Sequence, residues 1–214
     1  MKTNKKVIIA LIALVAISVI VIISLFWFGI LHFNNPPSDS VIGIDVSSYQ
    51  GDIDWTTLSS QNISFAFIKA TEGSSFVDPC FTSNWTNAAD TDLRIGAYHF
   101  FSFESSGEKQ AKFFCSTVTP VDNMLPPVID VEFYGKFKSV KDIDADAVKH
   151  ELRVFVDLIS AEYGMKPIIY VTNKSFEAIV KNDFSDCDLW FRSVYSSIPN
   201  EIKCSFWQFS KLKK

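Results

Sequence analysis

Two carboxylates two residues apart, Asp130 and Glu132, close the apolar run Pro126-Pro127-Val128-Ile129-Asp130-Val131-Glu132. Side chains alternate along a strand, so Val128, Asp130 and Glu132 share one face while Ile129 and Val131 share the other. Two acids so placed lie roughly 6.5 to 7 Å apart at Cα, and like-charge repulsion with partial burial keeps one proton on the pair near neutral pH. A protonated acid beside an ionised one is what hydrolysis of a glycosidic bond requires. On a solvated edge the same triplet would do no chemistry, and the flanks decide between the two readings. Pro126 and Pro127 cannot donate to a ladder's interior and fit the start of a strand, while Phe133-Tyr134-Gly135 marks its exit into a loop. The acids therefore stand at the strand's C-terminal end, where barrels of parallel strands build their sites.

Polar residues close other apolar runs in the same way. Asp45 ends Val41-Ile42-Gly43-Ile44-Asp45, Lys69 and Glu72 end the run from Phe65, and Tyr98 with His99 lies near the end of the next. Tyr170 ends a later run, and Trp207 with Gln208 the last. Such a ring of acids and aromatics suits a sugar, whose hydroxyls need acceptors and whose apolar faces stack on rings. Each residue also has a plainer role: Lys69 as a structural partner of a carboxylate, Trp190 and Trp207 as core. His99, which precedes a run of aromatics, reads as a hydrogen-bonded wall residue rather than a base, and no second histidine nearby offers a metal site.

The elements that must carry these residues are short. Apolar runs at 41–46, 64–70, 94–101, 126–132, 167–173, 188–194 and 203–209 read as seven buried strands. Val148, Leu152, Phe155 and Ile159 recur at helical spacing within 144–163, with Gly164 as a stop, and a second helix is expected over 105–118. Strands alternating with helices imply parallel pairing through right-handed crossovers, hence a barrel or an open α/β sheet.

The first 33 residues stand apart. Lys2, Lys5 and Lys6 precede an uncharged apolar run from Val7 to Leu31, longer than the roughly 20 residues a bilayer demands and than a signal-peptide core. The expectation is an uncleaved membrane anchor over 1–33 with a cytoplasmic N-terminus, a linker over 34–40 and an extracytoplasmic domain over 41–214; a cleaved signal would instead release a secreted domain. With the three lysines set aside, 17 of the 20 bases face 24 acids, an acidic balance that argues against a nucleic-acid partner. Cys80, Cys115, Cys187 and Cys204 show no zinc spacing, and outside the cytoplasm two disulfides are expected, Cys187 with Cys204 and Cys80 with Cys115, each pair falling on successive structural units.

Taken together, Gly43-Ile44-Asp45-Val46-Ser47-Ser48-Tyr49-Gln50-Gly51, Ile53-Asp54-Trp55, the Phe67–Gly73 segment, Gly96-Ala97-Tyr98-His99-Phe100, Pro127–Glu132, Ile169-Tyr170, Leu189-Trp190 and Trp207-Gln208 resemble glycoside hydrolase family 25, the lysozymes of the Chalaropsis type. The resemblance implies an irregular, flattened TIM-like barrel and cleavage of the β-1,4 bond between N-acetylmuramic acid and N-acetylglucosamine in peptidoglycan or a related N-acetylhexosamine glycan, without cofactor or metal. It implies Glu132 as general acid and then base, Asp130 as the partner of the substrate's 2-acetamido group, Asp45 as a further acid, and Lys69, Glu72, Tyr98, Tyr170 and Trp207 as walls of the sugar pocket. Two departures stand out. The family's last strand, with its Asp, is missing after Phe209, which predicts an unpaired sheet edge. Arg192 replaces a small residue and is expected either to pair with a site acid or to narrow the groove. A weak or inactive wall-binding module on the same fold is the alternative function.

Overall fold

The computed structural model describes residues 4–27 and 36–210. Lys2, Phe28 to Asn35, and so the start of the expected linker, and the last four residues lie outside the described part. Helix α1, Lys5–Trp27, is followed by strand β1, Gly43–Val46, and the short helix α2, Trp55–Ser59. Then come β2 (Phe65–Glu72), β3 (Phe76–Val77), α3 (Phe81–Ala89), β4 (Arg94–Phe100), α4 (Gly107–Thr117) and β5 (Val128–Val131). The long helix α5 (Ala145–Tyr163), β6 (Ile168–Thr172), β7 (Asp188–Arg192) and β8 (Phe206–Gln208) complete the order.

The sheet runs β1-β2-β4-β5-β6-β7-β8, every neighbouring pair parallel, so all seven expected strands form and share one direction. β3 is an addition, two exposed residues folded back antiparallel on β2 through Gly73, whose φ of 54° favours glycine. The long helix follows its sequence closely. Asp144 caps it by accepting from the Ala147 N–H at 3.1 Å; Val148, Leu152, Phe155, Val156 and Ile159 are buried, and Gly164 ends it in the left-handed region. Its neighbour α4 crosses it at Gly107, where a Cβ would collide with the Glu151 carbonyl.

Alternation divides the core in two. Ile129, Val131, Ile169, Val171 and Phe191 face outward into a large apolar layer shared with the helices. Phe67, Leu125, Val128, Ile168, Tyr170 and Trp190 fill a smaller core on the concave face. The sheet curls into a half-barrel, and no main-chain ladder joins its edge strands β1 and β8 among the described residues. Side chains close that seam instead. Phe206 of β8 packs edge-on against Phe65 and Phe67 with ring centres 5.5 Å apart, and the Gln208 amide donates to Asp45 Oδ1 at 3.1 Å.

The expected disulfides are not formed; all four thiols are free. Cys80 stands at the head of α3 with its backbone N–H on Asp78, whereas Cys115 of α4 faces Tyr163 of α5. Cys187 is buried ahead of β7, and the segment leading into β8 meets β7 through Ser205, whose hydroxyl donates to Asp188 at 2.8 Å. Burial pushes the Cys115 and Cys187 thiols up to about 11, which keeps both protonated at neutral pH.

Candidate active site

Strand register assembles one row of side chains across the concave face at its C-terminal rim. Asp45 lies beside Phe67, Lys69 beside Tyr98, Phe100 beside Asp130, Asp130 beside Tyr170, Tyr170 beside Trp190, and Arg192 beside Gln208. Glu132 is one residue past β5, two beyond Asp130, and continues the same face. Lys69 and Glu72 are three apart and would point oppositely on a regular strand. The register shift between Lys69 and Thr71 re-aims the strand and brings Glu72 beside Phe100 on the concave side. The Lys69 ammonium then reaches Glu72 Oε2 at 2.7 Å and lies between the rings of Phe76 and Phe100. Lys69, Glu72, Tyr98, Phe100, Asp130 and Tyr134, with Tyr49 at the rim, enclose a pocket of about 330 Å³.

The acids in this row are poorly hydrated. Burial raises the Asp130 carboxyl well above the usual range, and the Glu132 charge raises it further, while the Lys69 ammonium pulls the other way. Burial also raises Glu132, against the lowering influence of the Arg192 guanidinium. Asp45 keeps an exposed edge, yet the concave wall strips much of its hydration and lifts it too, opposed by the Gln208 hydrogen bond and Arg192. Asp130 Oδ1 is enclosed and meets no hydrogen-bond donor among the described residues. No protein donor meets the Glu132 carboxyl among the described residues. A buried carboxylate oxygen without a partner costs free energy, so Asp130 resists ionising while that oxygen stays unpaired.

A chain of side chains steadies the other flank. Tyr170 donates to Gln208 Oε1 at 2.6 Å and Gln208 donates onward to Asp45, linking strands at opposite ends of the sheet order. Burial pushes the Tyr170 and Tyr98 phenols far above their ordinary value, and the nearby carboxylates add to this, so both remain neutral donors.

Of the residues singled out from sequence, Asp45, Lys69, Glu72, Tyr98, Asp130, Glu132 and Tyr170 come together on the concave face. Trp207 does not. It pairs with Phe191, on the convex face, and its indole N–H donates to the Ser193 carbonyl at 2.9 Å, because Phe206 and Gln208 occupy the inward positions of β8. Arg192 is inward but forms no ion pair among the described residues, so the pairing with a site acid expected as one alternative does not occur. Sequence reading passed over Tyr134 as a loop marker; its hydroxyl accepts from the Phe103 N–H at 2.8 Å, which fixes the ring against Phe100 at the pocket wall. His99 is the wall residue expected, fully buried on the convex side, with Nδ1 on the Thr71 hydroxyl at 2.7 Å and Nε2 on Gln110 Oε1 at 3.0 Å.

The sequence model of the glycosyl hydrolases family 25 matches residues 44–214, and the chain belongs to that family. A family 25 glycosyl hydrolase from Bacillus anthracis is 46% identical in a match covering 84% of this chain and 83% of that one, with a TM-score of 0.76. YegX of Escherichia coli (strain K12) is 34% identical over 182 residues, 82% of this chain and 65% of YegX. The N,O-diacetylmuramidase of Chalaropsis sp is 31% identical over 144 residues, 64% of this chain and 68% of that protein. This chain thus spans about two thirds of the length of these curated relatives.

Proposed function

We propose that the chain is a muramidase that hydrolyses the β-1,4 bond between N-acetylmuramic acid and N-acetylglucosamine in peptidoglycan. The observation that carries this reading is the inward row in which Asp130 and Glu132 stand on one face at the C-terminal rim, both raised by burial, with Asp130 Oδ1 bare. Family membership and the muramidase among its relatives give the substrate class.

Burial and mutual repulsion favour keeping a proton on the Asp130–Glu132 pair. Catalysis needs that proton on Glu132, and substrate supplies the bias. The acetamido N–H donates to the Asp130 carboxylate, which stabilises its ionised form and leaves the shared proton on Glu132. Glu132 protonates the departing glycosidic oxygen as the acetamido oxygen closes on the anomeric carbon, and Asp130 balances the positive oxazolinium that forms. Glu132, now ionised, takes a proton from water, whose oxygen opens the ring to give a product of retained configuration. Tyr170 and Gln208 hold Asp45 in place beside this event.

The domain division proposed is an anchor over 1–33, a linker over 34–40 and the catalytic unit beyond. Residues Lys5–Leu25 form a fully exposed apolar helix of 21 residues, roughly 30 Å at the helical rise and thus a bilayer's apolar thickness. The mass of the membrane-extracted protein distinguishes a retained anchor from a cleaved signal. For the activity, the full chain in detergent is incubated with purified peptidoglycan and the fragments are reduced with borohydride. New muramitol ends are expected. New glucosaminitol ends, or wall binding with no fragments, would replace the muramidase reading with a different glycosidase or with a binding module.

A further inference from the structure

Two cations face the row of acids, and they are treated differently. Lys69 is almost fully buried and is neutralised by Glu72 at 2.7 Å. Arg192 is half-buried, and among the described residues its guanidinium has neither a hydrogen bond nor an ion pair. Its place is fixed by register. Trp190, two residues earlier, is inside the barrel with its ring centre 4.9 Å from that of Phe67, so Arg192 is the next inward position and the last of β7. Beside it, Gln208 is engaged elsewhere, its oxygen accepting from Tyr170 and its nitrogen donating to Asp45, and makes no hydrogen bond with Arg192. Glu132 and Asp45 are near enough for Arg192 to lower both, but neither closes a contact with it. The pocket is built from β2, β4 and β5, and Arg192 lies two strands beyond β5, on the flank past the catalytic acids.

A guanidinium offers five donors in a rigid fork and is seldom left unmatched when partly removed from water. We propose, building on the muramidase reading, that Arg192 is a carboxylate-recognition residue for the glycan, forming the bidentate contact that no acid among the described residues makes with it. The shared chemistry is a substrate carboxylate, and two sources exist on a wall polymer: the lactyl carboxylate of a muramic acid stripped of its peptide, or a carboxylate of an attached peptide. In the first case the enzyme acts after an amidase has removed the peptide; in the second it acts on intact strands.

Three substrates separate these cases: intact peptidoglycan, amidase-stripped strands, and stripped strands whose lactyl carboxylates have been converted to neutral amides. The full chain in detergent is compared with Arg192→Gln and Arg192→Lys, with the melting temperature as the check on folding. The expected result is a loss of about tenfold in kcat/KM for Arg192→Gln on stripped or on intact strands, under twofold on the amidated ones, and partial recovery with Arg192→Lys. Loss on stripped strands assigns the lactyl group, and loss confined to intact strands assigns the peptide. An equal loss on all three, or none, overturns the proposal. If the wild type cuts none of them, the muramidase reading fails by itself, and the affinity for stripped against amidated strands then decides: weaker binding of stripped strands by Arg192→Gln supports recognition, and equal binding ends it.

Discussion

His99 and Asp130 sit on adjacent strands of one sheet, both removed from water and both shifted in proton affinity, yet they do opposite work. His99 points to the convex side, stacks on Phe155 with ring centres 4.8 Å apart, and has a hydrogen-bond partner at each ring nitrogen. Burial lowers it to about 4, so it stays neutral and holds β2, β4 and α4 together. Asp130 points to the concave side, where one oxygen has no partner and a pocket opens beside it. A shifted pKa therefore marks burial, which both residues have. An unsatisfied carboxyl on a residue that lines a pocket is what separates a site from a wall.

The comparison predicts where substitutions will be felt. The largest effect belongs to Glu132→Gln, which removes the proton donor: release of reducing ends is expected to fall about 10³-fold with the melting temperature unchanged within 2 °C or so. Asp130→Asn comes next, with about 10²-fold lost in kcat and a gain in stability. The sign follows from linkage. An acid raised in the folded state binds more protons there than in the unfolded chain, so its contribution falls as pH climbs above the unfolded value, and the neutral amide escapes that penalty at pH 7. A rise of roughly 3 °C in melting temperature at pH 7, shrinking toward pH 4, would be the signature.

His99 should show the reverse dependence. Its folded value of about 4 lies below the ordinary 6.5, so the unfolded chain takes up the proton first and stability drains as pH falls between these limits, by about 3 kcal/mol in all. An NMR titration of the imidazole is expected to reach its midpoint near 4; a midpoint near 6.5 would mean the ring is hydrated and the wall assignment wrong. The smallest effect is Trp207→Phe, under twofold in kcat/KM on peptidoglycan, because the ring is on the convex side of the sheet. A larger loss would return this tryptophan to the pocket.

Much of this was legible in the sequence because period-two and period-3.6 patterns are local. All seven parallel strands, the span of α5 with its stop, and the common face of Asp130 and Glu132 follow from spacing alone. What escaped depends on contacts between distant residues or on breaks in the local rule. Trp207 and Gln208 are neighbours and so must face opposite ways, but which of them faces inward is set by the fit of Phe206 against Phe65 and Phe67. The shift after Lys69 that turns Glu72 inward has no sequence signal of its own. The Gln208–Asp45 clasp joins residues 163 apart in sequence, and no local pattern announces it. Cysteine spacing points to two pairs, whereas all four thiols are free, because pairing depends on the distance between folded elements rather than on spacing in sequence.

The central claim is that the carboxyls of Asp130 and Glu132 share one dehydrated site and keep a proton at neutral pH. Carbon-13 labelling of the side-chain carboxyls in the full chain, followed by NMR from pH 3 to 9, measures this directly. Two coupled steps are expected, both above the ordinary carboxylate range, with the remaining step moving down when either residue is replaced by its amide. Two independent transitions near pH 4, unaffected by the partner's replacement, would contradict the account.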